Sequence, residues 1–293
     1  MFSWETYGQR VDKITPDGKL AVIAGTGRYK APVFAARNEG SPAIAWDITP
    51  QGLALDSGGN LYISDAGSWV YLVGKDDRIH LVAGKGPSHH FSGDGGPAKR
   101  ADLYSPAGLL IDPSGNVYLS DRLNYRVRRI SPDGVISTVA GSGTQGNTGD
   151  GGLATAAQLD EPNGLAMDEA GNLYIATKTA IRKVDREGRI STVAGNFTPR
   201  NAGFGGQASN ASLMGATDVA LDQHGNLYIV AHVPSNLPSD DGGLFVVTPD
   251  GILHKILAST NGAHVNAINA VATDPNGNVY YAATCGVYRL ESN

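Results

Sequence analysis

The chain has 293 residues, 39 of them glycine, with 41% hydrophobic and 17% charged residues and a formal net charge of −5. Glycine at about twice its usual share, set among short Val/Ile/Leu/Tyr runs, disfavours a helical bundle, and the lack of a G-X-Y period rules out a collagen-like fibre. The acidic balance without a Lys/Arg stripe argues against a nucleic-acid partner, and the short apolar runs exclude a membrane-spanning helix.

The N-terminus, Met1-Phe2-Ser3-Trp4-Glu5, has no basic region ahead of an apolar core. No signal peptide is therefore expected in this chain, and an extracytoplasmic location would require one that had been removed. Next come two strands joined by a turn, RVDKI-TPDG-KLAVIAG from Arg10. The segment QGLALDSGGNLYISD from Gln51 then reads as strand, D-x-x-G-N turn, strand. It recurs from Ala107, Asn163, Thr217 and Asn269, at intervals of 52 to 56 residues. Further strand pairs follow it, such as RVRRI-SPDG-VISTVAG from Arg126 and IRKV-DREG-RISTVAG from Ile181. Each unit is thus four antiparallel strands, A to D.

Four-stranded units repeated at this period indicate an all-β fold, a β-propeller, since a sandwich has no reason to repeat its sequence. The third strand occurs at Arg10, Val70, Arg126, Ile181, Leu244 and Val287. That favours six blades, with five blades and one composite as the alternative. The first unit lacks an A strand and the last stops after its C strand. One domain over residues 1–293 and a monomer are expected.

The run GNVYLSDRLNYRVRRISPDGVISTVAG, from Gly115 to Gly141, resembles an NHL repeat. Three D–A connections align with one another: FSGDGGPAKRADLYSP, NTGDGGLATAAQLDEP and NAGFGGQASNASLMGA. They resemble the G-D-G-G-P-A insert of bacterial NHL-repeat propellers. The resemblance covers essentially the whole chain. It implies a propeller related to the gluconolactonase and strictosidine synthase types, a group that includes scaffolds, sensors and enzymes.

Propeller geometry places the D–A and B–C connections on one face, called the top. The D–A loops are long, so the site is expected there. The first A-strand positions, Gln51, Ala107, Asn163, Thr217 and Asn269, should ring the channel mouth, with Asp218 one step further in. An oxygen set from Asn163, Asp218 and Asn269 would suit a hard cation such as calcium, and the gluconolactonase resemblance implies a divalent metal near this level. The alternative is that these amides bond backbone and channel water. At the B-strand ends Glu5, Asp65 and Asp121 cluster on one side. Asp65 and Asp121 read as loop-fixing Asx residues or as a catalytic acid.

His232 follows a B strand and is the expected general base. His80 and His254 fall on outer strands and His224 in a bottom turn, so all three read as structural. His89, His90 and His264 fall in top-face connections. With Gln51, Trp69 and Tyr125 they form the expected ligand-binding set. Cys285 makes no internal disulfide and reads as a small buried residue. Aromatics in the loops (Tyr29, Phe34, Trp46, Phe91, Tyr104 and Phe204 besides those named) suit a sugar, a flat ligand or a peptide, with at least half expected to serve packing. Two functions follow. One is a top-face hydrolase or lyase acting on a small molecule or carbohydrate, assisted by a divalent cation. The other is a non-catalytic propeller binding a protein, peptide or glycan. The G-x-G strings connect strands and open no helix, so no nucleotide cofactor is expected.

Overall fold

The computed structural model describes residues 2–4, 9–28, 39–197, 203–231, 243–258, 268–283 and 286–290. Among them regular structure consists of strands and short 3-10 turns, and no helix is long and apolar enough to cross a membrane. The first sheet joins β1 (Phe2–Trp4), β2 (Val11–Ile14) and β3 (Leu20–Ala24). The second runs β4 (Pro50–Leu55), β5 (Leu61–Asp65), β6 (Trp69–Val73) and β7 (Ile79–Ala83). The third is β8 (Pro106–Ile111), β9 (Val117–Asp121), β10 (Arg126–Ile130) and β11 (Ile136–Ala140). The fourth is β12 (Leu165–Met167), β13 (Leu173–Thr177), β14 (Ala180–Val184) and β15 (Ile190–Ala194). The fifth is β16 (Ala216–Leu221), β17 (Leu227–Ala231), β18 (Gly243–Val247) and β19 (Leu253–Ala258). The last is β20 (Ala270–Thr273), β21 (Val279–Ala283) and β22 (Gly286–Arg289).

The fold is all-β, built from four-stranded antiparallel blades in chain order, as the repeat implies. The missing first A strand and the stop after the last C strand are as expected, and six blades are not confirmed among the described residues. Four sheets have four strands, while the first holds only B, C and D and the last only A, B and C. The chain separates into two compact units, Met1–Val139 and Ala140–Asn293. Within the first, β4 lies against β8; within the second, β12 lies against β16 and β16 against β20.

The D-x-x-G-N turn owes its shape to its aspartate. Asp112 Oδ1 accepts the Asn116 backbone N–H at 2.8 Å, and Oδ2 accepts Asn116 Nδ2 at 2.7 Å. Gly115 sits at φ 81°, in the left-handed region that a side chain resists. The same carboxylate–Asn pairing recurs at Asp56, Asp168, Asp222 and Asp274. Apolar layers lie between successive blades. One joins Val70 and Ala83 of the second sheet to Leu109, Leu119, Ile130 and Ile136 of the third. Another joins Ile181 and Ala194 of the fourth to Val219, Ile229 and Phe245 of the fifth.

The seams between neighbouring sheets are tight at their inner strands. Ser64 Oγ donates to the Ala107 carbonyl at 2.5 Å, and Thr273 Oγ1 to the Leu221 carbonyl at 2.6 Å. A Cβ on Gly164 would drive into Asp218 and the Thr217 carbonyl. Gly164→Ala is therefore expected to destabilise the second unit by about 1–3 kcal/mol, the usual cost of overpacking, read from its urea midpoint.

The long D–A loops depart from expectation. Their glycine-rich segments do not all stay at the face of the B–C turns. In the first unit Ala98 N–H donates to the Gly134 carbonyl and Ile136 N–H to the Gly96 carbonyl, so the segment is fastened to the C–D turn. In the second unit Ala154 and Ala208 bond Gly188 and Gly251 in the same way. Much of the loop length is thus spent bracing the outer hairpin, where the backbone groups of an irregular segment find partners.

Candidate functional site

The B-strand ends carry buried carboxylates. Asp65 Oδ2 accepts the Thr49 N–H and Oδ1 the Gly67 N–H, both at 2.7 Å. Asp121 is fully buried. Its Oδ1 accepts the Tyr104 N–H at 2.7 Å, and its Oδ2 accepts Asn124 Nδ2 at 2.9 Å and Arg128 Nη1 at 3.1 Å. Burial pushes the Asp121 carboxyl up, against the Tyr104, Asn124 and Arg128 donors that hold it down. Both aspartates clamp the end of the preceding D–A loop. Glu5 lies outside the described residues.

Arg128 completes a buried set in the third sheet, pairing with Asp94 of the G-D-G-G loop at 2.7 Å as well as with Asp121. The fourth sheet repeats this with Arg182 and Asp150 at 2.5 Å, and with neutral Thr177 in the place of Asp121. In the fifth sheet the same three positions are Phe245, Phe204 and Ala231. The two rings stack at 5.3 Å. The ion pair and the aromatic stack are alternative solutions to one problem, fastening the glycine loop to the C strand. The signal was present in the aligned loops, as the change from GDGG to GFGG.

The expected ligand-binding residues of the first unit divide by role. Gln51 occupies an irregularity in the β4–β5 pairing and is half-buried. Trp69 stacks on Tyr71 at 6.3 Å and packs against Gly86, and Trp46 meets Tyr71 edge-on at 5.5 Å. These rings pack the loop. His89 and His90 are exposed. The His89 ring lies 4.7 Å from that of Tyr104, and the His90 carbonyl accepts Asn124 Nδ2 at 3.2 Å. Tyr125 is half-buried, with a left-handed backbone at φ 53°. His232, His264, Cys285, Tyr29 and Phe34 lie outside the described residues.

In the second unit the structure brings Asn163, Asp218 and Asn269 to the starts of three adjacent first strands. Asp218 breaks the repeat, because the matching residues in the second, third and fourth sheets are Gly52, Gly108 and Gly164. Its Oδ2 accepts the Val271 N–H from β20 at 2.9 Å. A bulge at Thr217 turns the strand here, and Thr217 Oγ1 is buried with no hydrogen-bond partner. Burial pushes the Asp218 carboxyl up to about 7, opposed by N–H groups of Val271 and Val219. The set offers a cation one carboxylate and two amides. Among the described residues no three His, Cys, Asp or Glu side chains converge to hold a metal.

The model of the Teneurin NHL domain matches residues 81–146 and 143–200. The chain belongs to the NHL-type β-propellers. Mouse teneurin-4 (Mus musculus) is 28% identical over 298 residues, covering 90% of this chain and 10% of that protein. Zebrafish teneurin-3 (Danio rerio) is 30% identical over 60% of this chain and 6% of its own length. This NHL propeller therefore spans about a tenth or less of those teneurins. These two relatives are vertebrate proteins and do not confirm the bacterial type that the loops suggested. Among solved structures, a gluconolactonase from Xanthomonas campestris superposes with a TM-score of 0.62 at 17% identity, covering 97% of this chain and 79% of that one. Virginiamycin B lyase from Staphylococcus aureus gives 0.58 at 14% identity, covering 99% and 77%. Likeness at that identity is a likeness of fold.

Proposed function

We propose that this NHL propeller is a non-catalytic recognition module that binds a protein or peptide segment through the loop surface of its first unit. The observation that carries this is the state of the expected acids. The Asp65 carboxylate is engaged by the Thr49 and Gly67 N–H groups, and that of Asp121 by Tyr104, Asn124 and Arg128. Both therefore hold loops in place, and the loop that Asp121 holds displays His89, His90 and Phe91 outward. The teneurin similarity supports the reading, since it extends along most of the chain and those names state no enzymatic activity. Panning a displayed random-peptide library on the purified chain is expected to enrich a peptide family. Its binding should fall at least tenfold in the exposed-site variant His89→Ala/His90→Ala with Tm unchanged. Absence of any enriched family would overturn the reading.

Asp218 favours a second reading, a hydrolase or lyase acting on a small molecule or carbohydrate. A carboxyl poised at about 7 is suited to proton transfer at neutral pH. His232 would be its partner base, and the expected divalent cation at Asn163, Asp218 and Asn269 belongs with this reading. It requires turnover of a lactone or carbohydrate panel that Asp218→Asn lowers at least a hundredfold.

A further inference from the structure

We propose that β3, the outer strand of the first sheet, is a docking site for an apolar glycine-rich loop of a partner protein. The loop has the form G-Φ-G-G-x-A, with Φ a large apolar residue, and seats on Leu20 and Val22. This surface is not the loop that carries His89 to Phe91, and the inference does not depend on the reading given for that loop.

Four other sheets show what such a strand receives. In the third, Gly95 N–H donates to the Ile136 carbonyl at 2.8 Å and Ile136 N–H to the Gly96 carbonyl at 3.0 Å, while Ala98 N–H reaches Gly134 of the C–D turn. Ile79, Ile190 and Leu253 are held in the same way by the loops that precede their sheets. Under this cover these four residues are at most 1% exposed.

The first sheet has the same strand without the cover. Leu20 stands in the place of those four residues and is 63% exposed, and Val22 is 43% exposed. A lone exposed leucine carries little meaning, but here the four counterparts are sealed. Thr15 N–H donates to the Lys19 carbonyl as Ser131 N–H does to that of Val135. The N–H and C=O of Leu20 therefore point away from β2, as those of Ile136 point away from β10. Gly18 matches Gly134, at φ 78° against 83°. Among the described residues no segment takes this place. The strand offers main-chain groups for affinity and apolar side chains for selection.

Two positions choose the residue between the loop glycines, one on the C strand and its partner on the D strand. In the third sheet these are Arg128 and Thr138, which hold Asp94. In the fourth, Arg182 and the Thr192 N–H hold Asp150. In the fifth, Phe204 stacks on Phe245, with Lys255 Nζ 5.7 Å from its ring. In the first sheet the pair is Asp12 and Val22. Asp12 is buried and already engaged by Arg10 at 2.9 Å, so a loop aspartate would face a carboxylate and find no arginine in the place of Arg128. Val22 offers apolar surface instead. The occupant that fits is of the G-F-G-G type and not of the G-D-G-G type.

The test is an NMR titration of the isotope-labelled full chain with two synthetic peptides, FSGFGGPAKR and FSGDGGPAKR. They differ at one residue, and the second is the sequence of residues 91–100. The phenylalanine peptide is expected to saturate with shifts centred on the amides of Gly18, Leu20 and Val22, and the aspartate peptide to bind at least tenfold more weakly. Leu20→Ser and Val22→Ser should each weaken the phenylalanine peptide at least fivefold, with Tm unchanged because both side chains are exposed. The titration should be the same in the His89→Ala/His90→Ala variant, and a loss there would assign the binding to the other surface and overturn this one. No shift at residues 18–22, or equal binding of the two peptides, also overturns the proposal. So does a response centred on Ile136, which would be exchange with the chain's own loop. Shifts at residues 18–22 that grow with protein concentration without peptide would overturn it in favour of a second copy of the chain.

Discussion

Replacing Arg128 by alanine is expected to destabilise the first unit by about 3–5 kcal/mol, the usual cost of stranding one partner of a buried ion pair. Arg128 and Asp121 are both fully buried, so the change leaves the Asp121 carboxylate without its counter-charge. It also removes one fastening of the G-D-G-G loop, because Asp94 Oδ1 and the Ser92 carbonyl lose this donor while Asp94 Oδ2 keeps that of Thr138. The matched change Arg182→Ala should cost less. Its acid, Asp150, is 47% exposed and stays hydrated, and Thr177 carries no charge to strand. Urea denaturation of both variants decides the point, and equal losses would count against the argument. The fifth sheet supplies a rescue. Asp150→Phe with Arg182→Phe copies its Phe204–Phe245 stack and should recover most of the loss in the fourth sheet.

Asp218→Asn is the second large effect, and its sign depends on pH. The folded-state pKa of about 7 lies above the ordinary value of 3.8. Below pH 4 the group is protonated both folded and unfolded, so it imposes no penalty. Between pH 4 and 7 the folded chain holds a proton that the unfolded chain has released, so this group makes stability fall as pH rises. Above pH 7 the penalty is constant, of order 4 kcal/mol from the size of the shift. Asparagine keeps an oxygen for the Val271 N–H and removes the titration. The variant should melt higher than the parent at pH 8, match it near pH 4, and show a flatter profile between. A melting temperature that tracks the parent at every pH would overturn this.

The blades were legible because the repeat spells them out: apolar alternation gave the strands and D-x-x-G-N gave the turns. The aspartate's part in that turn was less visible, since glycine and asparagine also account for a turn locally. Asp65 and Asp121 were placed correctly at strand ends, and one of the two roles weighed for them matches their contacts. Their partners Thr49 and Tyr104 lie 16 and 17 residues upstream, beyond the reach of local pattern. The path of the D–A loops was misjudged because length alone says nothing of where a loop finds its hydrogen bonds. Asp218 was picked out for its position, whereas its perturbation comes from packing against neighbouring strands.

Asp218 is one of two departures from glycine at this position, Ala270 being the other, and it limits how such a chain could change. The glycine ahead of it is tied to this departure, because a Cβ on Gly164 would meet the Asp218 carboxylate. A unit after β16 need only offer a backbone N–H in the place of that of Val271, which any first strand carries. Asp218 thereby restricts which unit can precede it and leaves open which one follows.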